Sequence, residues 1–457
     1  MRKPPSSFTS RSCARADEIE LRGNGALRRR PAEHSGPNCA SGVSRFVQHG
    51  CPGPHDVALP ARMPWQCAAR TGSMAPRTRQ SWAFRRRLRP NAFGWRNTAA
   101  VAAVKDAIRE LRAVARKEPA RAAAGAVELL ERIPAACAHT DDSSGALQRQ
   151  ICAVIDLLEQ WFGRAELPDD EHEAFLVRLW QSWLEDDMSW LDELSDRWGP
   201  FCVSPERASR WADRVAAGRS EVEDPGDHLE TWKRSGRFEL PYLSLLHAAG
   251  RHDEVIRRVT PESWWLSRRW AVRSLRALGR RAEALRLIRV DAAGARPQEA
   301  ERMAEEILLD SGLREQAWAD HALAAAEDVN RVLWLKRLLE RYPERTPTEV
   351  LERLVAATPT REGRWFAAAR QAGLLDEALA LARVSPAEPA TLQTAVFRHA
   401  DSEPAFAFEA GLLAIRGLAN GDAFDPEKIE FEDLCDALLA IARREGRVPE
   451  LRDRVAA

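Results

Sequence analysis

A glycine-centred turn recurs through the second half of this 457-residue chain, and it restricts the possible folds more than any other feature. At each copy an apolar helical pattern runs into glycine, and a Glu or Gln follows four residues later, before a second apolar stripe. Glycine suits a helix end because it adopts the left-handed conformation without a steric penalty. The pattern therefore predicts repeated pairs of helices. The turn glycines are Gly250, Gly279, Gly312, Gly373 and Gly446.

The spacing of these glycines predicts the architecture. They lie 29, 33, 61 and 73 residues apart, so each of the two long gaps has room for an additional helix pair. A period in the thirties with two helices per repeat is typical of stacked helical arrays. We therefore predict an all-α fold, an α-solenoid of stacked antiparallel helical hairpins, preceded by a disordered basic N-terminal segment.

Two helix starts in the array follow capping-box spacing. In each, a hydroxyl residue precedes proline, and a glutamate comes three residues after the hydroxyl residue. The sequence therefore predicts that a helix begins directly after each hydroxyl residue. The two pairs are Thr346 with Glu349 and Ser385 with Glu388.

Composition divides the chain into five segments. Residues 1–73 are rich in Arg, Pro, Ser, Gly and Cys without helical or strand periodicity, so they are either disordered or not natively translated. Residues 74–96 form a basic aromatic arm, called the basic arm below. Residues 97–217 are predicted to be an N-terminal helical region, and the polar stretch 218–227 a linker or loop. Residues 228–457 are predicted to be a tetratricopeptide-like repeat array.

The charge of the chain is unevenly distributed. It carries 68 basic and 68 acidic residues, but residues 1–96 contain 18 Lys and Arg against 5 Asp and Glu. Arginines with interleaved aromatics can contact phosphates and stack on bases, which suggests nucleic acid as a partner. Alternatively, the basic arm folds back on the acidic remainder of the chain. The candidate partner-binding residues of the arm are Trp82, Arg85, Arg86, Arg87, Arg89 and Trp95.

Two adjacent tryptophans supply a second candidate partner-binding surface. Trp264 and Trp265 follow one another on a predicted helix, and consecutive helical residues do not share a face. One of the two is therefore expected to lie on a groove or between adjacent repeats.

Part of the chain resembles a known group of proteins. The stretches Ser81–Arg96, Ala113–Lys117 and Asp142–Ala146 resemble a family of uncharacterised bacterial all-helical proteins. The hairpins also resemble degenerate tetratricopeptide-like repeats, although most aromatic consensus positions are absent. The resemblance implies the fold and adds no activity.

Several classes of function lack their usual sequence signals. The chain contains no nucleophile-elbow, phosphate-loop or dinucleotide-binding glycine motif. The acidic run Asp169–Glu173 contains His172 but no second histidine at metal-ligand spacing, so we predict neither a metal nor a cofactor. The eight cysteines form no Cys-x-x-Cys pair, and no stretch of 18 residues is apolar throughout. We predict a cytoplasmic protein without a membrane span.

These observations lead to two main hypotheses and leave an enzyme of unrecognised type open as a third. The first is a non-catalytic scaffold or adaptor that binds a protein partner along its helical repeats. The alternative is a nucleic-acid-associated protein that uses residues 82–96 of the basic arm. No sequence pattern indicates an oligomeric state.

Overall fold

The computed structural model of the protein describes residues 82–220, 228–289, 297–423 and 426–456. Their regular structure consists of α-helices and short 3-10 helices, and no β-strand occurs among these residues. The predicted all-α fold is therefore confirmed. None of the described helices has the length and apolar character needed to cross a membrane. Residues 1–73 and 74–81 lie outside the described residues, including the segment predicted to be disordered.

The chain divides into two compact units, an N-terminal unit that ends at Glu254 and a C-terminal unit that begins at Val255. The sequence predicts a linker or loop at residues 218–227, of which residues 221–227 lie outside the described residues. The helix that follows this stretch packs against the helices before it, so the contacts assign it to the N-terminal unit.

The N-terminal unit consists of helices that pack mainly on their neighbours in sequence. In the first helix, Val104, Ile108 and Leu111 are buried at three-to-four spacing, and this apolar stripe holds the helix against the next two. The last helix extends into the C-terminal unit. The helices are α1 (Thr98–Ala115), α2 (Pro119–Ala136), α3 (Ala146–Arg164), α4 (Asp169–Leu184), α5 (Trp198–Cys202), α6 (Pro205–Ser220), α7 (His228–Ala248) and α8 (His252–Arg258).

The C-terminal unit is a series of helical hairpins, each of which packs on the next. The two long gaps between turn glycines each contain one further helix pair, α14 with α15 and α18 with α19. The helices are α9 (Trp265–Ala277), α10 (Arg281–Arg289), α11 (Gln298–Asp310), α12 (Arg314–Asp320), α13 (Ala322–Ala326), α14 (Arg331–Arg341), α15 (Pro347–Ala356), α16 (Phe366–Gln371), α17 (Leu375–Val384), α18 (Pro389–His399), α19 (Pro404–Ala419), α20 (Phe431–Arg444) and α21 (Val448–Ala456).

All five turn glycines that the sequence identifies have left-handed backbones, with φ between +70° and +80°. At Gly279 the chain forms the two hydrogen bonds of a Schellman motif. The Arg280 N–H donates to the Leu275 carbonyl (2.8 Å), and the Gly279 N–H donates to the Arg276 carbonyl (3.0 Å). The same pair of bonds recurs at the other four glycines and at Gly421, a turn that the sequence analysis missed.

The two predicted capping boxes have different outcomes. The Thr346 hydroxyl accepts a hydrogen bond from the Glu349 N–H (3.2 Å), and the carboxylate of Glu349 accepts one from the Thr346 N–H (2.9 Å), so this prediction is confirmed. The prediction for Ser385 is wrong, because α18 begins only at Pro389. The Ser385 hydroxyl instead accepts a hydrogen bond from the Gly363 N–H (2.8 Å), which joins the two ends of the hairpin formed by α16 and α17.

Substitution of Gly312 tests the left-handed turn directly. Nothing lies within 4 Å of a Cβ built at this glycine, so any loss of stability comes from its backbone conformation. We expect Gly312→Val to lower the free energy of unfolding by about 1–2 kcal/mol or more and Gly312→Asn by less, since asparagine tolerates positive φ. Urea unfolding of the full chain, followed by circular dichroism, measures both. Equal stability of the two variants would contradict the assignment.

Candidate functional site

The described part of the basic arm packs against the helices of the N-terminal unit. Trp82, Phe84 and Leu88 are buried. The Arg85 guanidinium donates two hydrogen bonds, each 2.5 Å long, to the carboxylate of Glu128 on α2. These contacts fasten one face of the arm to the protein itself.

The pKa of Glu128 reflects this contact. Burial alone would raise the pKa, but the hydrogen bonds and charges of Arg85 and Arg132 outweigh it and hold the pKa below its ordinary value. Glu128 therefore stays ionised and keeps Arg85 docked at neutral pH.

The remaining candidate residues of the arm differ in their exposure and in their contacts with the rest of the protein. Arg87 forms an ion pair with Asp106 on α1. Arg86 is exposed, and the Arg89 Nε donates to the Arg86 carbonyl (2.9 Å). Trp95 is 73% exposed. The structure thus leaves Arg86, Arg89 and Trp95 at the surface.

Trp264 and Trp265 occupy different environments in the C-terminal unit. Trp264, directly before α9, is 78% exposed. The Trp265 indole N–H donates to the Glu299 carboxylate on α11 (3.0 Å), so its side chain connects successive hairpins. Only Trp264 presents its ring to solvent.

The acidic run at the start of α4 has a structural explanation. The His172 Nε2 lies 2.8 Å from the Phe201 carbonyl oxygen, and Arg207 contacts both the His172 Nδ1 (3.0 Å) and the Asp169 carboxylate (2.6 Å). Burial, followed by the charge of Arg207, lowers the pKa of His172, so the imidazole is neutral. No group of three or more His, Cys, Asp or Glu within the described ranges could hold a metal ion.

A second buried polar cluster lies between α11 and the hairpins that follow it. The His321 Nδ1 lies 2.6 Å from a Glu301 carboxylate oxygen, and the Tyr342 hydroxyl donates to Glu305 (2.7 Å). Burial raises the pKa of Glu305. These contacts lie inside the core, where they connect α11 with the start of α13 and the end of α14.

A cavity of about 690 Å³ in the C-terminal unit brings together residues from four separate segments. The segments are the start of α14, the turn before α16 with the beginning of that helix, the loop between α17 and α18 with the beginning of α18, and the turn after α19. Below we call it the arginine cavity, because three arginines line it. Its lining comprises Arg331, Thr360, Arg361, Gly363, Arg364, Ala367, Ser385, Pro386, Ala387, Glu388, Thr391, Asp422 and Ala423.

Arg331 is the most confined of the three arginines. Its guanidinium lies over the buried ring of Trp365, 5.6 Å from the centroid, and its Nε is buried without a hydrogen-bond partner. Burial, and then the charges of Arg364 and Arg361, lowers the pKa of Arg331. Arg331 is therefore close enough to the other two arginines to be repelled by their charges.

None of these three guanidinium groups forms an ion pair with any described residue. Many arginines of the same unit do, and several pairs join residues 30 positions apart on consecutive hairpins. Examples are Arg276 with Glu306 and Arg314 with Glu344. The arginine cavity departs from this pairing, which leaves its cations available to an external anion.

The turn that carries Arg361 and Arg364 is held in place by close contacts. A Cβ at Gly363 would lie only 2.1 Å from the Ser385 carbonyl oxygen, so a side chain here is incompatible with the observed approach. The Trp365 indole N–H donates to the Thr358 hydroxyl (2.7 Å), which fixes the ring beneath Arg331. Thr360, at the cavity wall, has a left-handed backbone with φ +66°.

Two carboxylates also line the cavity. Glu388 comes from the loop before α18, and Asp422 comes from the turn after α19. Three cations against two anions leave a small net positive charge. The lining therefore suits a compact anionic group that approaches the arginines rather than an extended polyanion.

The sequence analysis did not identify this cavity. Arg331, Arg361 and Arg364 have the appearance of ordinary surface arginines in the sequence, and their shared position depends on how successive hairpins stack. One local feature of the sequence could have indicated a site here. It is the irregular stretch between two helical patterns that contains Thr358-Pro359-Thr360 and Gly363.

Comparisons with known proteins do not add a family. No family model matches the chain, and neither a curated protein nor a solved structure matches it. The fold is an all-α helical-repeat fold, and its C-terminal unit contains a cavity lined by three arginines.

Docking of the basic arm should depend on Glu128. Because docking holds its pKa below the ordinary value of 4.5, this carboxylate stabilises the docked arm above that pH and stops doing so as pH falls through the lowered pKa. We expect Glu128→Gln to accelerate tryptic cleavage after Arg86 about several-fold at neutral pH. The reason is that the substitution removes charge-assisted hydrogen bonds that hold the arm against α2. Timed proteolysis with mass spectrometry measures the rate.

Glu131→Gln is the matched control for this prediction. Glu131 lies on the same helix and pairs with Arg178 (2.5 Å), which does not belong to the arm. Its variant should be cleaved after Arg86 at the wild-type rate. Equal acceleration in both variants would mean that α2 loosens as a whole and that the arm is not held by Glu128.

Gly363 should tolerate no side chain. A methyl group there forces the turn away from Ser385, so we expect Gly363→Ala to lower the free energy of unfolding by about 1–3 kcal/mol. Gly163→Ala is the control, since nothing lies within 4 Å of a Cβ at that helical position. Thermal unfolding of the full chain compares the two, and an unchanged melting temperature for Gly363→Ala would refute the close contact.

Proposed function

We propose that this protein is a non-catalytic helical-repeat scaffold that binds a protein partner, and that the arginine cavity receives an anionic group of that partner. The observation that carries the proposal is the absence of any carboxylate paired with Arg331, Arg361 or Arg364 within the described part of the chain. Many arginines of this unit form ion pairs that connect hairpins and stabilise the fold. Three arginines without such a pair in one cavity therefore favour a role in binding an external anion.

The electrostatics support an anionic ligand. Burial, and then the charges of Arg364 and Arg361, lower the pKa of Arg331, so repulsion from these two arginines adds to the cost of burying it in the empty cavity. An incoming anion relieves this repulsion and accepts charge-assisted hydrogen bonds, which guanidinium groups donate in a planar, often bidentate geometry. Trp365 holds Arg331 in position, so less side-chain freedom is lost on binding.

Exposed apolar side chains beside the cavity favour a protein segment over a free ion. Val329 is 97% exposed and lies two residues before Arg331, while Val384 is 69% exposed and directly precedes Ser385. Chain geometry keeps each within about 7 Å of a lining residue, measured between Cα atoms. A peptide could contact these valines while its anionic group enters the cavity.

The nucleic-acid hypothesis has less support. Arg85 and Arg87 of the basic arm are already paired with carboxylates, which leaves Arg86 and Arg89 as exposed cations among the candidates. A cytoplasmic location remains part of the proposal. It agrees with the free thiols of Cys137 and Cys202, which are buried.

The proposal is tested by affinity purification of the full chain from a lysate of its source organism, with quantitative mass spectrometry. We expect one protein to be retained near stoichiometry by the wild type. Arg331→Gln/Arg364→Gln should reduce its recovery at least about tenfold, because a hydrogen bond to a charged group contributes about 1.5–3 kcal/mol.

The control is Arg452→Gln, which removes an exposed arginine on α21 and should leave recovery unchanged. Half of each lysate is treated with nuclease. Loss of the partner on nuclease treatment would favour the nucleic-acid alternative, and recovery that does not depend on Arg331 and Arg364 would contradict the proposed site.

A further inference from the structure

We propose that the group received by the arginine cavity is a phosphoryl group carried on a side chain of the partner. This inference rests on the proposed function, whose binding site it makes chemically specific. It is argued from the number of cations in the cavity, from the distribution of charge around them and from the available space.

The number of cations is the first argument. A carboxylate presents two acceptor oxygens, fewer than the three guanidinium groups that line the cavity. A phosphorylated side chain carries about −1.5 to −2 at neutral pH and presents three acceptor oxygens. Arg331, Arg361 and Arg364 supply guanidinium donors in comparable number. Arginine clusters are a recurrent way of recognising phosphorylated segments.

The distribution of charge is the second argument. Glu388 and Asp422 lie on segments other than those that carry the arginines. A nucleic-acid strand presents successive phosphates along its backbone, and these carboxylates would repel the phosphates that flank a bound one. A single phosphoryl group avoids that repulsion, since the groups next to it in a peptide need not be charged.

The available space is the third argument. The cavity volume of about 690 Å³ falls in the range of ordinary ligand sites, about 300–1,000 Å³, and exceeds what an inorganic phosphate ion occupies. A phosphorylated side chain with its flanking backbone makes fuller use of it. The hydroxyls of Thr360 and Thr391 also line the cavity and can donate further hydrogen bonds to a phosphoryl oxygen.

Titration calorimetry of the full chain tests the inference with three defined probes. They are N-acetyl-phosphoserine amide, N-acetyl-glutamic acid amide and inorganic phosphate. We expect the phosphoserine probe to bind at least about tenfold more tightly than the glutamate probe, because its charge is larger and it accepts more hydrogen bonds. Equal or tighter binding of the glutamate probe would overturn the inference. Equal or tighter binding of inorganic phosphate would also overturn it, since the group would then not need a side chain.

Variants locate the binding in the cavity. Arg331→Gln and Arg361→Gln should each weaken binding of the phosphoserine probe about tenfold or more, and Arg452→Gln should leave it unchanged. Arg364→Lys keeps the charge and removes the planar donor geometry, so it should weaken binding less than Arg364→Gln. Because Arg361 and Arg364 are exposed, their variants keep the test valid if Arg331→Gln fails to fold. Wild-type affinity in all of them would place the probe elsewhere.

Phosphatase treatment of the lysate separates failure of this inference from failure of the proposed function. The inference expects the retained partner to be lost after treatment. A partner retained after treatment, but still lost in Arg331→Gln/Arg364→Gln, would support the scaffold and overturn the phosphoryl group. Phosphoserine binding in the cavity without any retained protein would support the phosphoryl group and contradict the scaffold.

Discussion

A left-handed glycine ends helices throughout the C-terminal unit, and the positions of the other elements depend on this turn. In each case two backbone hydrogen bonds close the helix, and the chain reverses within a few residues. Successive helices are therefore antiparallel, and their apolar stripes meet in the core. The same geometry brings the ends of different hairpins together. The arginine cavity lies at such ends, where α14 begins and the loop between α17 and α18 passes.

Arginine–carboxylate pairs add a second regularity to the stack. Several join residues 30 positions apart, close to the repeat period, as Arg345 and Glu315 do. Near the C-terminus, Glu409 pairs with three arginines: Arg383 on α17, Arg447 in the turn before α21, and Arg454 on α21. Exposed pairs of this kind contribute little individually, but their regularity makes an exception informative. The three arginines of the cavity are such an exception, which is why a binding role follows from their position and not from their residue type.

The sequence indicated the basic arm but not the arginine cavity. The basic arm was visible because its arginines and aromatics are adjacent in the chain, yet Arg85 docks on Glu128 because the two meet in space. The sequence did not indicate the cavity, because its arginines are not adjacent in the chain. Arg331 and Arg364 lie 33 positions apart. Ser385 illustrates the same limit. Its spacing to Glu388 matches a capping box, but its hydroxyl accepts a hydrogen bond from the Gly363 N–H, 22 residues earlier in the chain.

The sequence by itself determined the all-α fold, the turn glycines and the capping box at Thr346, because each depends on the conformational preferences of residues close together in the chain. Only the tertiary structure decided which arginines have carboxylate partners, where the two units divide and which side chains share a cavity. Those outcomes depend on distances between residues that are remote in sequence, and such distances are set by the packing of whole hairpins.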